Sequence, residues 1–404
     1  YYVDPFNTSG VAYDSNSGLT VAMPLISIKT AVLKSDRGKI YIRGGSGYLS
    51  RTTSGQFDPT DWGSAPIALI AWGGPVKMIN GNQGSTLTWT SQGSGAYSAT
   101  LSGVMGVLLT SATDPLVATL PQQLTARADL AAVQGASEGW ATSGTTVYVK
   151  IPAGTTPAIT SVYVIRQAFT LVAYTGPTMY LRGIHFWGFG AGLRHKPTTY
   201  SASSRFVCRD GGAAYSEQAS GYNAISIDNV GVAALKNCYG YYGGSDCINI
   251  HRTDQSNTAL PHSIMLEEGC TAKYSAWQRA EVRGPYQAST SHDGVIKVIL
   301  NPTYGPTLGG PVLQDQGPDA NFICYTWCLG GTLDPTGSPA STGELSSVWG
   351  YGVLGGLFTA TWLEDTSIVD GGAGPVWANS SGPVLLRGAL TSWSVAPIGA
   401  VGPY

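Results

Sequence analysis

Three short polar stretches in the second half of the chain hold the residue types that acid–base chemistry uses. The first is Gly243-Gly244-Ser245-Asp246-Cys247-Ile248-Asn249-Ile250-His251, in which a glycine turn feeds a strand. Alternation along that strand puts Asp246, Ile248 and Ile250 on one face and Cys247, Asn249 and His251 on the other. The second is Ser289-Thr290-Ser291-His292-Asp293-Gly294, and the third is Gly309-Gly310-Pro311-Val312-Leu313-Gln314-Asp315. Histidine ordinarily titrates at about 6.5 and so serves as acid or base at neutral pH. If the stretches occupy equivalent places on successive layers of strands, His251, His292, Asp293 and Asp315 lie multiples of ~4.8 Å apart. Carboxyl groups ~5–5.5 Å or ~6.5–9.5 Å apart serve retaining and inverting glycoside hydrolysis respectively. A β-elimination instead needs a base at the sugar C5 proton and a cation on the uronate carboxylate. Asp and His at strand ends also cap turns through side-chain-to-backbone hydrogen bonds, and at this stage both readings stand.

Flat apolar faces lie close by. The chain holds 11 Trp and 22 Tyr, and Tyr241, Tyr242, Trp277 and Tyr286 fall among the polar stretches. Such rings stack against sugar CH groups or pack between layers of the fold. With Asp246 and Asn249 they form the candidate substrate-binding set, while His251, His292, Asp293 and Asp315 form the candidate catalytic set. Glu267 and Glu268 are adjacent, so on a strand they point to opposite faces, which is poor geometry for a shared acid–base site. Asp4, Asp14 and Asn16 offer hard oxygen ligands of the kind Ca²⁺ takes, although stabilising the turn is the plainer role for them. No other metal or cofactor is expected. The six cysteines, at 208, 238, 247, 270, 324 and 328, show no CxxC pair and no histidine at ligand spacing, and they read as reduced, buried core residues.

The elements that must position these residues are strands. Of 404 residues, 43% are hydrophobic, and 54 Gly and 23 Pro leave little room for long helices, so the composition is all-β. Charged residues make up only 11% and the net charge is −2, with no run of four basic residues, which excludes a phosphate-tracking surface and hence nucleic-acid binding. No apolar run reaches the ~18 residues of a membrane-spanning helix. The chain opens at Tyr1 without an initiator Met or an apolar leader, which reads as a processed start.

Residues 1–50 predict a strand, an Asp/Asn/Gly loop, a short helix from Ile28 to Leu33 and a Gly-ended strand at Lys39–Arg43. Residues 65–165 alternate in short β runs, with a second helix around Arg127–Gln134. From 178 onward a dozen short apolar runs recur, each closed by Gly, Asn, Asp or Pro, and Leu235-Lys236-Asn237-Cys238-Tyr239 is echoed by Leu266-Glu267-Glu268-Gly269-Cys270. Intervals near 30 residues fall within the ~20–50 residue periods of repeat architectures.

The opening pattern of Tyr2-Val3-Asp4-Pro5, Asp14-Ser15-Asn16-Ser17-Gly18, Met23-Pro24-Leu25, a helix and a Gly-ended strand resembles the N-terminal cap of right-handed parallel β-helix proteins of the pectate-lyase superfamily. Glu138-Gly139-Trp140 and the run Gly144–Val149 resemble a β-rich module inserted after the first coil of such proteins. The three polar stretches resemble those of phage and bacterial β-helices that carry Ser-Asp-Gly, Thr-x-His-Asp-Gly and Gly-Pro-x-x-x-Asp. Here Asp246-Cys247 replaces Asp-Gly, and Gln314 precedes Asp315. The resemblance implies an all-β, right-handed parallel β-helix with a cap and first coil at 1–64, an inserted module at 65–177, and coils with a C-terminal β region at 178–404. It further implies a tailspike-like protein, extracellular or on a virion surface, assembled as a homotrimer, alone or with other virion proteins. Such a protein binds bacterial surface polysaccharide and, in the enzymatic reading, depolymerises it by hydrolysis or elimination. A non-catalytic virion component or adhesin is the alternative.

Overall fold

The chain, described by a computed structural model at residues 1–34, 38–45, 47–50, 65–166, 174–190, 192–216, 222–255, 261–275, 286–307, 312–336, 353–355, 359–369, 376–378, 384–387 and 401–403, is built almost entirely of short strands. Apolar and β-branched runs ended by turn residues pair side by side in parallel, forming three sheets. The first has 12 strands, beginning Tyr2–Val3, Lys39–Arg43, Ile67–Trp72, Thr178–Arg182 and Ser201–Arg209. It continues through Val230–Lys236, Ser263–Glu268, Val295–Leu300, Cys324–Leu329, Thr359–Glu364 and Val384–Arg387 to Val401–Pro403. The second has nine very short strands, from Leu49–Ser50 to Ser367–Ile368, and the third has seven, from Leu193–His195 to Val376–Ala378. One coil visits all three in turn, as in Val230–Lys236, Tyr239–Tyr241 and Ile248–His251, and then returns to the first sheet beside its own start. This is a right-handed parallel β-helix, the hand that parallel crossovers take.

One corner explains why the runs end in Gly, Asn or Asp. Between the first and second sheets the first corner residue has positive φ, namely Gly183, Asp210, Asn237, Gly269, Asn301, Gly330 and Asp365 on successive coils. Only Gly, Asn and Asp enter that left-handed region at low cost. Each corner donates its amide to the next coil, as Asn237 N does to Glu268 O at 2.8 Å and Asn301 N to Leu329 O at 2.9 Å.

The helix Ile28–Leu33 closes the N-terminal end. Ser27 caps it by accepting from Thr30 N at 3.2 Å, and Ile28, Ala31 and Val32 are buried in the solenoid core. The second helix, Leu130–Gly135, starts at an Asp129 cap. It belongs to a module of two four-stranded antiparallel sheets lying between Gly81 and Arg166. The expected start of that module at 65 falls too early. Ile67–Trp72 pairs with Lys39–Arg43 and Thr178–Arg182, and Val76–Ile79 pairs with Leu49–Ser50 and Ile184–Trp187, so these strands complete a coil.

All six cysteines are free and buried. Cys238 and Cys270 occupy equivalent corners, since Tyr239 pairs with Thr271. Cys208 does not continue that column, because its register partner is Leu235.

Candidate functional site on the outer face of the third sheet

The strands Ile225–Asp228, Ile248–His251, Ser289–His292 and Leu313–Gln316 stack in register. The first and third residues of each, among them Ile248, Ile250, Ser289, Ser291, Leu313 and Asp315, are buried toward the coil interior. Alternation turns His251 and His292 the other way. These two are direct register partners, with ring centroids 4.3 Å apart at 57°. Asp228 is in register with His251 on one side and Gln316 with His292 on the other. Asp293, at φ 67, turns out of the strand so that its Oδ2 lies 4.0 Å from His251 Nδ1. That separation is too long for a hydrogen bond. Arg194 Nε and Nη2 each donate to Asp228 Oδ2 at 3.3 Å. A cation, two carboxyls and two imidazoles thus follow one edge over four coils.

Burial sets their protonation. It pushes the Asp293 carboxyl up to about 6. It pulls His251 down to about 4, helped by the positive charges of Lys196 and Arg194. It pulls His292 down to about 3, helped by His251. At neutral pH both imidazoles are therefore uncharged acceptors or donors, while Asp293 is the group that exchanges a proton near pH 6. Burial also raises Asp228, against the lowering charge of Arg194.

Asn249 shares the outer face of its strand with His251, but both it and Asp246 are buried. The Asp246 carboxylate accepts from Gln287 N at 2.9 Å, Asn249 Nδ2 at 2.9 Å and Thr290 Oγ1 at 3.0 Å. Asn249 Nδ2 also donates to Thr290 Oγ1 at 2.6 Å. These contacts tie two coils together where Asp246 and Gln287 lead into their strands, a structural use of Asp rather than a solvent-facing one.

Asp315 is separated from the histidines by one step of strand alternation. Gln316, not Asp315, is the register partner of His292, and Asp315 faces inward beside Ser291. There it pairs with Lys297 Nζ at 3.1 Å, both side chains being essentially inaccessible. Lys297 also donates to Ser289 Oγ at 3.3 Å, Ser289 donates to Glu267 Oε1 at 2.9 Å, and Tyr304 Oη donates to Glu267 Oε2. Glu267 and Glu268 do point to opposite faces, Glu267 to the interior and Glu268 outward to Lys236 at 2.6 Å.

Tyr241 and Tyr242 lie on and beside the second sheet, away from the histidines. Tyr242 is stacked between Tyr215 and Tyr274, with centroids 5.0 and 5.3 Å away, and its hydroxyl donates to Asp114 Oδ1 at 2.8 Å. Tyr241 packs in the same cluster, which joins the coils to the module. Tyr286 precedes the strand Ser289–His292, and its carbonyl accepts from Ser275 Oγ at 3.1 Å. Trp277 lies outside the described residues. Asp4 accepts from Ser9 N at 2.8 Å, Thr8 N at 3.2 Å and Arg43 Nη1 at 3.2 Å. Asp14 accepts from Ser27 N at 3.0 Å, and Asn16 Nδ2 donates to the carbonyls of Val11 and Pro24 at 2.8 Å. These groups are spent on separate turns and do not form an oxygen cage of the kind calcium requires.

Sequence reasoning passed over Asp228 and Arg194. The signal was there: Ile225-Ser226-Ile227-Asp228 repeats the apolar–polar alternation of Ile248-Asn249-Ile250-His251 one coil earlier.

No protein-family model and no curated protein matches the chain. Among solved structures, one described as "The complex structure of XylC with xylose" is similar at 11% identity and TM-score 0.46, over 90% of this chain and 68% of that one. Another, described as "Glycoside hydrolase", is similar at 8% identity and TM-score 0.37, over 100% of this chain and 96% of that one. Likeness at this level carries no argument about the site or its substrate.

Proposed function

We propose that the protein binds an extended polysaccharide across the third sheet and cleaves it at the edge formed by His251, His292 and Asp293. The observation that carries this reading is the convergence of two neutral imidazoles and a carboxyl titrating near pH 6 on adjacent coils, with the Arg194–Asp228 pair alongside. In hydrolysis, protonated Asp293 gives its proton to the leaving glycosidic oxygen, while water adds to the anomeric carbon and yields its proton to an imidazole. In elimination, an imidazole takes the C5 proton, the C4–O bond breaks, and Asp293 protonates the departing oxygen. Arg194 and Lys196 supply positive charge for a uronate carboxylate. The extracellular or virion-surface, tailspike-like setting belongs to the same proposal and rests on the sequence resemblance.

A non-catalytic adhesin is the second reading, favoured by the burial of Asp246, Asn249 and Asp315 in structural networks. The test is incubation with a panel of bacterial surface polysaccharides. New reducing ends without ultraviolet absorbance identify hydrolysis, and absorbance from an unsaturated uronate identifies elimination. Binding without products supports the adhesin, and neither binding nor products overturns both readings.

A further inference from the structure

The outward face of the first sheet carries a continuous apolar row. On nine successive strands, from Ile67–Trp72 to Val384–Arg387, the outward residue of the central row is Ala, Val, Leu, Tyr or Trp without exception. The row begins at Ala68, passes Leu266 on the middle strand, and ends with Trp327, Trp362 and Leu385. The row beside it is apolar from Val232 through Ile264, Ile296 and Tyr325. All of these side chains are at least partly exposed, Ile264 by 47%. Eight strand spacings and a five-residue width give a footprint of about 38 Å by 17 Å, or roughly 650 Å². Two such faces bury about 1,300 Å², within the range of specific protein interfaces.

The third outward row carries charge, and its distribution identifies the occupant. It reads Arg182, Arg209 and Lys236 toward the N-terminal end, then Glu268, Leu300 and Leu329, and finally Glu364 and Arg387. Lys236 already holds Glu268, at 2.6 Å, and Glu364 holds Arg387 at 3.5 Å. Rotation of one copy by half a turn about an axis running along the middle strand sets each row against itself with coil order reversed. Apolar rows then meet apolar rows, Arg182 of each copy meets Glu364 of the other, and the two Glu268 side chains meet at the axis, each already paired with its own Lys236 at 2.6 Å. The alternative with the coil axes parallel sets the second row against the third, which brings Arg205 of one copy against Arg209 of the other and puts Ile264 against Glu268. The aromatic rings also argue against a glycan here. Trp327 and Trp362 stack on each other at 4.4 Å and 4°, so each covers a ring face that a sugar needs and presents its edge.

We infer that the first sheet is a self-association face and that two copies meet on it antiparallel, an isologous contact. This departs from the homotrimer that the sequence resemblance implies. The test is light scattering and sedimentation of the full chain at micromolar concentration, with far-ultraviolet circular dichroism as the folding control. The expected mass is that of a dimer, and Val298→Glu yields folded monomer. Arg182→Glu and Glu364→Arg each weaken the dimer by about tenfold, and the two together restore it, which a general loss of stability does not do. A monomeric or trimeric wild-type mass, a dimer unaffected by Val298→Glu, failure of the double charge swap to restore association, or a glycan that protects Trp327 and Trp362 in a monomer would each overturn it.

Discussion

Lys297 and Asp315 form an ion pair at 3.1 Å in the interior of the solenoid, with Glu267 held nearby through Ser289 and Tyr304. Inward-facing strand positions elsewhere are mostly Ile, Leu, Val, Met, Phe, Ala and Cys, while Ser289, Ser291, Thr326 and Thr361 lie beside the pair, so this is a buried charged cluster lined by hydroxyl groups within an apolar stack. Pairing offsets the cost of removing these charges from water, and taking out one partner leaves the rest uncompensated. Lys297→Met strands two buried carboxyl groups and is expected to cost about 3–5 kcal/mol. Replacing all three ionisable groups together, as Glu267→Gln, Lys297→Met and Asp315→Asn, recovers most of that loss. Chemical denaturation of the single and triple variants checks this. Equal midpoints for wild type and Lys297→Met would contradict a charged cluster.

Acid stability follows from His292. Unfolded, it titrates at about 6.5; folded, burial holds it near 3. The native state therefore binds fewer protons than the unfolded chain between these values, and the stability this neutral imidazole contributes is present above about pH 6.5 and is lost as pH falls toward 3. Asp293, pushed up to about 6, acts with the opposite sign between its unfolded value and 6, so the His292 contribution is isolated by comparison. Wild type is expected to lose stability relative to His292→Asn as pH is lowered from 7 to 5 (a window set by these two values). A difference in melting temperature that stays constant over that range would show that His292 is not held neutral.

The fold was legible because its signals are local. Single corner residues such as Asn237 and Asn301 must have positive φ, and the runs between them alternate with period two. The site was legible only in part. His251, His292 and Asp293 lie near one another in the structure as their motifs implied, but the interval from 251 to 292 is 41 residues while that from 228 to 251 is 23. Coils of unequal length hide which residues share a row. Asp315 was misplaced for a different reason: a shift of one residue on a strand exchanges inside for outside. Tyr242 was misread as a sugar platform because no sequence feature announces that a module 128 residues away supplies Asp114 as its partner.

That partnership is itself testable. Asp114 accepts from Tyr242 at 2.8 Å and from Tyr215 at 3.1 Å, bridging module and coil. Tyr242→Phe removes one hydrogen bond to a buried carboxylate and is expected to cost about 1–2 kcal/mol. Faster proteolysis within residues 81–166, with unchanged polysaccharide cleavage, is the predicted pattern, since this seam lies on a different sheet from the histidines. Loss of cleavage with an intact module would instead place Tyr242 in the site.

The proposed chemistry makes its sharpest statement at Asp293. As the proton donor it must be protonated, so activity that depends on it falls as pH rises through about 6. As the acceptor, an imidazole must be neutral, so activity falls on the acid side through about 4 for His251 or about 3 for His292. The expected profile of kcat/KM is a bell on the acid side of neutrality. Asp293→Asn is expected to lower turnover by roughly 10²–10⁴-fold and to erase the upper limb, and His292→Ala by roughly 10²-fold. Both side chains project from the outer face of the third sheet and not into the apolar core, so polysaccharide binding should change little and the melting temperature at pH 7 should fall by less than it does for a core substitution. Asp246→Ala serves as the contrast, because it removes the acceptor shared by Gln287, Asn249 and Thr290 and should lower the melting temperature before it lowers the rate. A profile with no limb near pH 6, or full turnover in Asp293→Asn, would remove Asp293 from the reaction and leave the histidine edge as a binding surface alone.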